Sequence, residues 1–220
     1  MRKLLAAVSA FFGLASAAQA TDVRMMNPND ILMTIPTISE DLAVLEDAGP
    51  VGDADLVFHE DDWTQVEFYD RARLEEIKAK LSEFKIFEQA NRQTHGWKNL
   101  YVRKIARTPV IAGPDPVARL ASALGTKHRA APVITSAGHV TGRVRDGFTL
   151  PLGGNVTLYG YTQDDRIPVL AASVGAGADS LKLTEAFMKL SGAERLILVD
   201  WRAQMILVGA KDGKIDVWHP

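Results

Sequence analysis

The chain has 220 residues, with 25 Lys and Arg against 27 Asp and Glu, 47% hydrophobic residues and no cysteine. So apolar a composition excludes a disordered polymer, and the mildly acidic balance lacks the basic stripe of a nucleic-acid binder. Without cysteine there is no thiol chemistry, thiolate metal site or disulfide, so any fold rests on packing alone.

The first twenty residues decide where the rest works. Arg2 and Lys3 precede an apolar run from Leu4 to Ala18, which closes on Ala18-Gln19-Ala20. Positive start, apolar middle and small-residue end are the parts of a secretory signal peptide, with cleavage expected after Ala20. The run is too short and too rich in Ala and Ser for a spanning helix, which needs about 20 strongly apolar residues. No cysteine follows to carry a lipid. The expectation is a mature chain starting at Thr21, exported to a bacterial periplasm, with no transmembrane segment. Removing Arg2 and Lys3 leaves 23 basic residues facing 27 acidic ones.

Residues 21–50 read as an N-terminal extension. Asn27-Pro28-Asn29-Asp30 is a turn cluster, and Ser39 can cap a short helix through Ala48 that Gly49-Pro50 stops. Residues 51–112 read as a first α+β unit. Leu56–Phe58 is a short strand, and Trp63–Tyr69 alternates apolar and polar positions. Asp70 is placed to cap a long helix to about Gln93, because Leu74, Ile77, Leu81 and Phe84 recur at steps of three and four. Leu100–Ala106 alternates again as a strand.

Residues 113–132 form a helix and linker: Asp115-Pro116 starts a short helix that Gly125 ends. In 133–220, a second α+β unit, strands are expected at 133–135, 142–152, 155–161 and 167–174. A helix from Ser180 to Gly192 and strands at 195–201, 203–208 and 215–218 complete it. Lys211-Asp212-Gly213 is a hairpin signal between the last two strands. The predicted fold is α+β, with antiparallel sheets and helices packed on one face. Segments 54–106 and 154–201 share a strand-strand-helix-strand order, the pattern of two β-β-α-β subdomains.

Candidate chemistry is sparse. His59-Glu60-Asp61-Asp62 offers imidazole and carboxylates to a divalent cation, with His59, Asp61 and Asp62 as ligands and His95 or His139 completing the shell. The spacing matches no ligand motif, and an acidic hairpin turn between Phe58 and Trp63 is the preferred reading of the cluster. Ser136-Ala137-Gly138-His139 brings a hydroxyl and an imidazole together without the Gly-x-Ser-x-Gly elbow. Gly153-Gly154 and Gly175-Ala176-Gly177-Ala178 lack the Lys-Ser/Thr end of a phosphate loop. No cofactor is implied.

Aromatic residues beside arginines carry the remaining signal. Tyr101 with Arg103, Trp201 with Arg202, and Trp218 in the last strand are the expected recognition surface, since Trp, Tyr and Arg dominate binding hot spots. The functional expectation is an exported, non-enzymatic module that binds another protein or a peptide. Terminal hairpin strands such as Ile215 to Trp218 are suited to strand addition. The alternatives are a metal-dependent hydrolase centred on His59, Asp61 and Asp62, and a small-ligand carrier with its pocket between sheet and helices.

Overall fold

The computed structural model describes residues 31–220; the expected leader, its cleavage site and the Asn27–Asp30 turn lie outside them. In chain order the strands are β1 (Thr37–Ser39), β2 (Leu45–Glu46), β3 (Val57–His59) and β4 (Val66–Asp70). Helix α1 (Leu74–Asn91) follows, then β5 (Arg92–Gln93), β6 (Gly96–Trp97), β7 (Tyr101–Arg103), β8 (Ile111–Ala112) and α2 (Pro116–Leu124). The second half holds β9 (Val133–Ser136), β10 (His139–Val144), β11 (Gly147–Gly153), β12 (Val156–Gln163), β13 (Arg166–Val174) and α3 (Ser180–Ala193). It closes with β14 (Leu196–Asp200), β15 (Met205–Gly209) and β16 (Ile215–Trp218).

The main sheet runs in the order β11-β12-β13-β4-β14-β15-β16, with β8 also pairing β13. Every pair in it is antiparallel. The α+β class with antiparallel sheets therefore holds. Strand β4 lies between β13 and β14, so the first half of the chain contributes a central strand to a sheet built mostly by the second. The two strand-strand-helix-strand segments are arranged differently. Strands β12, β13 and β14 all belong to the main sheet, whereas β3 joins a smaller sheet of order β2-β10-β9-β3 and β7 pairs with β1.

The helices do not share one face, which corrects that part of the expectation. In β14, Leu196 and Leu198 pack with Phe187 and Leu190 of α3, while Ile197 and Val199 pack with Ile77, Leu81 and Phe84 of α1. Alternate residues of a strand point to opposite faces, so α1 and α3 cover opposite sides. A strand buried on both sides reads as an unbroken apolar run, as Leu196-Ile197-Leu198-Val199 does. Burying each such side chain stabilises the fold by about 1.5–3 kcal/mol. The α1 face also carries the small sheet, through Ile134, Val144 and Phe58 packed on Tyr159, Val169 and Ala171.

Local chemistry accounts for most element ends. Asp70 accepts from the Ala72 N–H at 2.7 Å and caps a 3-10 turn at Arg71–Arg73 that leads into α1. Asp179 caps α3 through the Leu181 N–H at 3.0 Å, and Gly125, left-handed at φ 71°, closes α2. In β12, a Cβ on Gly160 would lie 2.0 Å from the Val169 carbonyl oxygen, so only glycine lets β13 pass so closely.

The short helix expected between Ser39 and Ala48 is absent. Ser39 instead ends β1, paired in parallel with Arg103, and Leu45 pairs with Val144. Two strand pairings and a Ser39 hydroxyl that accepts from Arg107 at 3.1 Å outweigh the weak helical propensity there. The single expected strand at 142–152 is two: β10 belongs to the small sheet and β11 to the main one, with Asp146 at φ 52° in the turn between them.

Candidate functional site: an open sheet edge and a buried charged seam

Strand β16 is the last strand of the main sheet. The Ala210 N–H donates to the Lys214 oxygen at 2.8 Å, and the same register pairs Val208 with Asp216 and Ile206 with Trp218. Hydrogen-bonded pairs alternate along an antiparallel ladder, so the backbone groups of Ile215 and Val217 point away from β15. Among the described residues no strand takes them up. Val217 is 53% exposed on this edge, while Ile215 is half-buried against the α3-side core. On the other side Trp218 packs toward α1, with the Lys78 ammonium 5.8 Å from its ring centroid.

The expected recognition residues do not form one surface. Trp201 is fully buried and Arg103 is 3% exposed, and the guanidinium lies 5.1 Å from the indole centroid. Both belong to the core, which corrects their placement on a surface: a cation over an aromatic face needs no solvent. Tyr101 packs on Phe84 and Phe87 of α1, with ring centroids 5.2 and 5.3 Å away. Arg202 is exposed and pairs with Asp62 at 2.7 Å. Of the five, only Trp218 lies on β16.

Arg103 is part of a charged seam that no pattern of residue types announces. It fills the line where α1 and the small sheet meet on one face of the main sheet. Arg103 donates to the Thr37 hydroxyl at 3.1 Å, to Gln65 Oε1 at 3.4 Å and to the Thr64 carbonyl at 3.1 Å, all neutral partners. Burial brings its pKa down to about 10. Glu67 is 1% exposed, pairs with Arg107 and accepts from the Tyr69 hydroxyl at 2.6 Å. Burial works against the Arg107 charge, but Glu67 and Tyr69 outweigh it and raise the pKa. Burial, and then the Glu67 charge, push the Tyr69 phenol well up; burial does the same to Tyr159. The segment 37–41 is threaded into this seam. Thr37 donates to the Tyr101 oxygen at 2.8 Å, and Asp41 O accepts from the Trp63 indole at 2.9 Å.

The acidic cluster has structural partners. His59 Nδ1 accepts from the Asp61 N–H at 3.2 Å, capping the 3-10 turn Glu60–Asp62. Asp62 is taken by Arg202, and Glu60 accepts from the Ser136 hydroxyl at 2.6 Å. Among the described residues no three His, Asp or Glu side chains are grouped to hold a metal ion, so His95 and His139 do not complete a shell around His59 and Asp61. Ser136 and His139 face each other across the Ala137-Gly138 turn of the β9–β10 hairpin. That serine directs its proton to Glu60. Where a carrier pocket was expected between sheet and helices, Phe187, Leu190, Leu158 and Leu198 fill the α3 interface.

The geometry describes an α+β protein with an open sheet edge and an interior charged seam. Comparison of the chain with protein families, with curated proteins and with solved structures gave no match. No described helix is long and apolar enough to cross a membrane.

Proposed function

We propose that this chain is an exported, periplasmic, non-enzymatic protein that binds a partner protein or peptide by accepting an extended strand at the edge of its main sheet. One observation carries the reading: the backbone groups of Ile215 and Val217 face outward from the end of the sheet with no strand beside them among the described residues. Main-chain hydrogen bonds to such an edge supply affinity, and alternate side chains supply selectivity. The exposed Val217 gives the incoming strand an apolar neighbour, and Asp216 gives it a charge to match. Export is supported by the tripartite layout of residues 1–20 and the cysteine-free body.

Affinity capture from a native extract, with the chain starting at Thr21 and its Val217→Pro variant in parallel, tests this. The Val217 N–H bonds nothing on β15, so proline removes a donor that only a partner would use. A specific partner held by the wild type and lost by the variant supports the reading. No specific partner at any salt, or capture indifferent to the proline, contradicts it.

A further inference from the structure

A hollow of about 560 Å³ opens beside the small sheet, between the main sheet and the turn that precedes β3. Its volume falls in the range of ligand sites, about 300–1,000 Å³. It stands on β11, β12 and β13, at the opposite end of the main sheet from β16, and no role assigned above absorbs it. The sheet register builds its floor. Tyr159 and Ala171 are opposite each other in β12 and β13 and are buried against Phe58 and Ile134 of the small sheet. Thr157 and Ser173, also paired, lie two residues along these strands and therefore on the same face. Both are half-buried, so the small sheet does not close over them. The nearby Thr149 hydroxyl is used on the Ala130 oxygen at 3.0 Å, whereas those of Thr157 and Ser173 have no partner among the described residues.

The walls carry one charge of each sign. The Arg129 N–H donates to the Thr149 oxygen at 2.8 Å, and the Arg129 oxygen accepts from the Thr149 N–H at 3.3 Å. Residues paired in this way turn their side chains to one face, and Thr149, opposite Tyr159, is on the face of the hollow. The Arg129 guanidinium is thereby held at the rim. The other charge is Asp53, in the turn before β3. Asp55 clamps that turn: it accepts from the Gly52 N–H at 2.9 Å and from two Arg143 nitrogens at 3.2 and 3.1 Å. Asp55 and Arg143 thus cancel each other. Asp53 and Arg129 have no ion-pair partner among the described residues and are not paired with each other.

We infer that this hollow is a second binding site, which takes a small zwitterion of the amino-acid or short-peptide kind. Its carboxylate lies on Arg129, its ammonium on Asp53, and its remaining polar groups on the Thr157 and Ser173 hydroxyls. The guanidinium fork matches a carboxylate, and hydrogen bonds between ionised groups are the strong ones. The two opposite charges exclude the simpler ligands. An anion would leave Asp53 covered and opposed, a cation would do the same to Arg129, and a neutral polyol would leave both charges unmatched. A hydroxyl both donates and accepts, so the floor serves either a peptide N–H or a carbonyl.

Calorimetric titration of the full chain with L-alanyl-L-alanine and with L-alanine tests this. Wild type binds at least one of them, and the tighter of the two distinguishes a peptide ligand from a free amino acid. Arg129→Gln and Asp53→Asn each weaken that binding about tenfold. Both side chains are exposed, so the melting temperature of the variants is unchanged. The C-terminal amide of the probe, which lacks the carboxylate, binds weakly and equally to wild type and Arg129→Gln. Its N-acetyl form, which lacks the ammonium, does the same with wild type and Asp53→Asn. No binding of either probe by wild type, affinity that neither variant alters, or full binding of the amide and acetyl forms overturns the inference. Binding lost in Val217→Pro but kept in both Arg129→Gln and Asp53→Asn places the probe on β16, which overturns the hollow and leaves the edge reading standing.

Discussion

The two faces of the main sheet are built on different terms. Under α2 and α3 the contact is apolar throughout, a continuous core from Phe148 and Leu158 to Phe187 and Leu198. The other face is covered by two separate bodies, α1 and the small sheet, and the line between them is filled by Arg103, Glu67, Arg107, Gln65 and the threaded Thr37. The first face is stabilised by area removed from water, which tolerates no cavity. The second depends on the Glu67–Arg107 pair and the Arg103 hydrogen bonds staying intact, because a lone buried charge costs more than the pair contributes. The contrast teaches where this fold is specific and where it is merely stable.

Truncations separate the two faces. Phe187→Ala, at the centre of the α3 contact, is expected to cost about 3–5 kcal/mol in urea denaturation, with an unchanged m-value. Glu67→Gln keeps the shape but takes from Arg107 its buried carboxylate partner, and is expected to cost about 3 kcal/mol. If Glu67→Gln proves neutral, the seam is wetter than its burial implies. Thr37→Val removes one donor and one acceptor from the threaded segment, an expected loss of about 1–2 kcal/mol by the same assay.

Alkaline titration sharpens the comparison further. Burial raises the folded pKa of Tyr69 and Tyr159 above the unfolded value near 10, so the folded state keeps protons that the unfolded chain releases. The tyrosines' contribution is complete below about pH 10 and declines as pH rises toward the folded values. Urea midpoints measured from about pH 8 to about pH 11 should fall for the wild type and fall less for Tyr69→Phe, Tyr159→Phe. The smallest effect is on the solvated face of α1. Lys80→Ala, breaking the exposed pair with Glu83, should cost no more than about 0.5 kcal/mol.

The sequence is informative about these faces to different degrees. Helix α1 was legible because Ile77, Leu81 and Phe84 recur at helical spacing, and β16 because Asp212-Gly213 separates two alternating runs. The unbroken run Leu196–Val199 carried the sign that both faces of the sheet are covered, but a short apolar run alone does not say by what. The seam was not legible. Arg103 beside Tyr101 reads as part of an exposed recognition surface, and only tertiary contact with Trp201 and Thr37 makes it interior. The same holds for Ser39, whose capping chemistry was real but was used to bind Arg107. Of the candidate residues, Trp218 lies on the open edge. That this edge is free had no signal of its own, because an unpaired strand edge is a property of the pairing and not of the residue type.

Amide hydrogen exchange at Ile215 and Val217, in the free chain and in complex with a captured partner, tests strand addition most directly. Both amides should exchange fast when free and slow markedly in the complex, while Asp216, already bonded to β15, changes little. Exchange at Ile215 and Val217 that stays equally fast in a saturated complex would contradict the account.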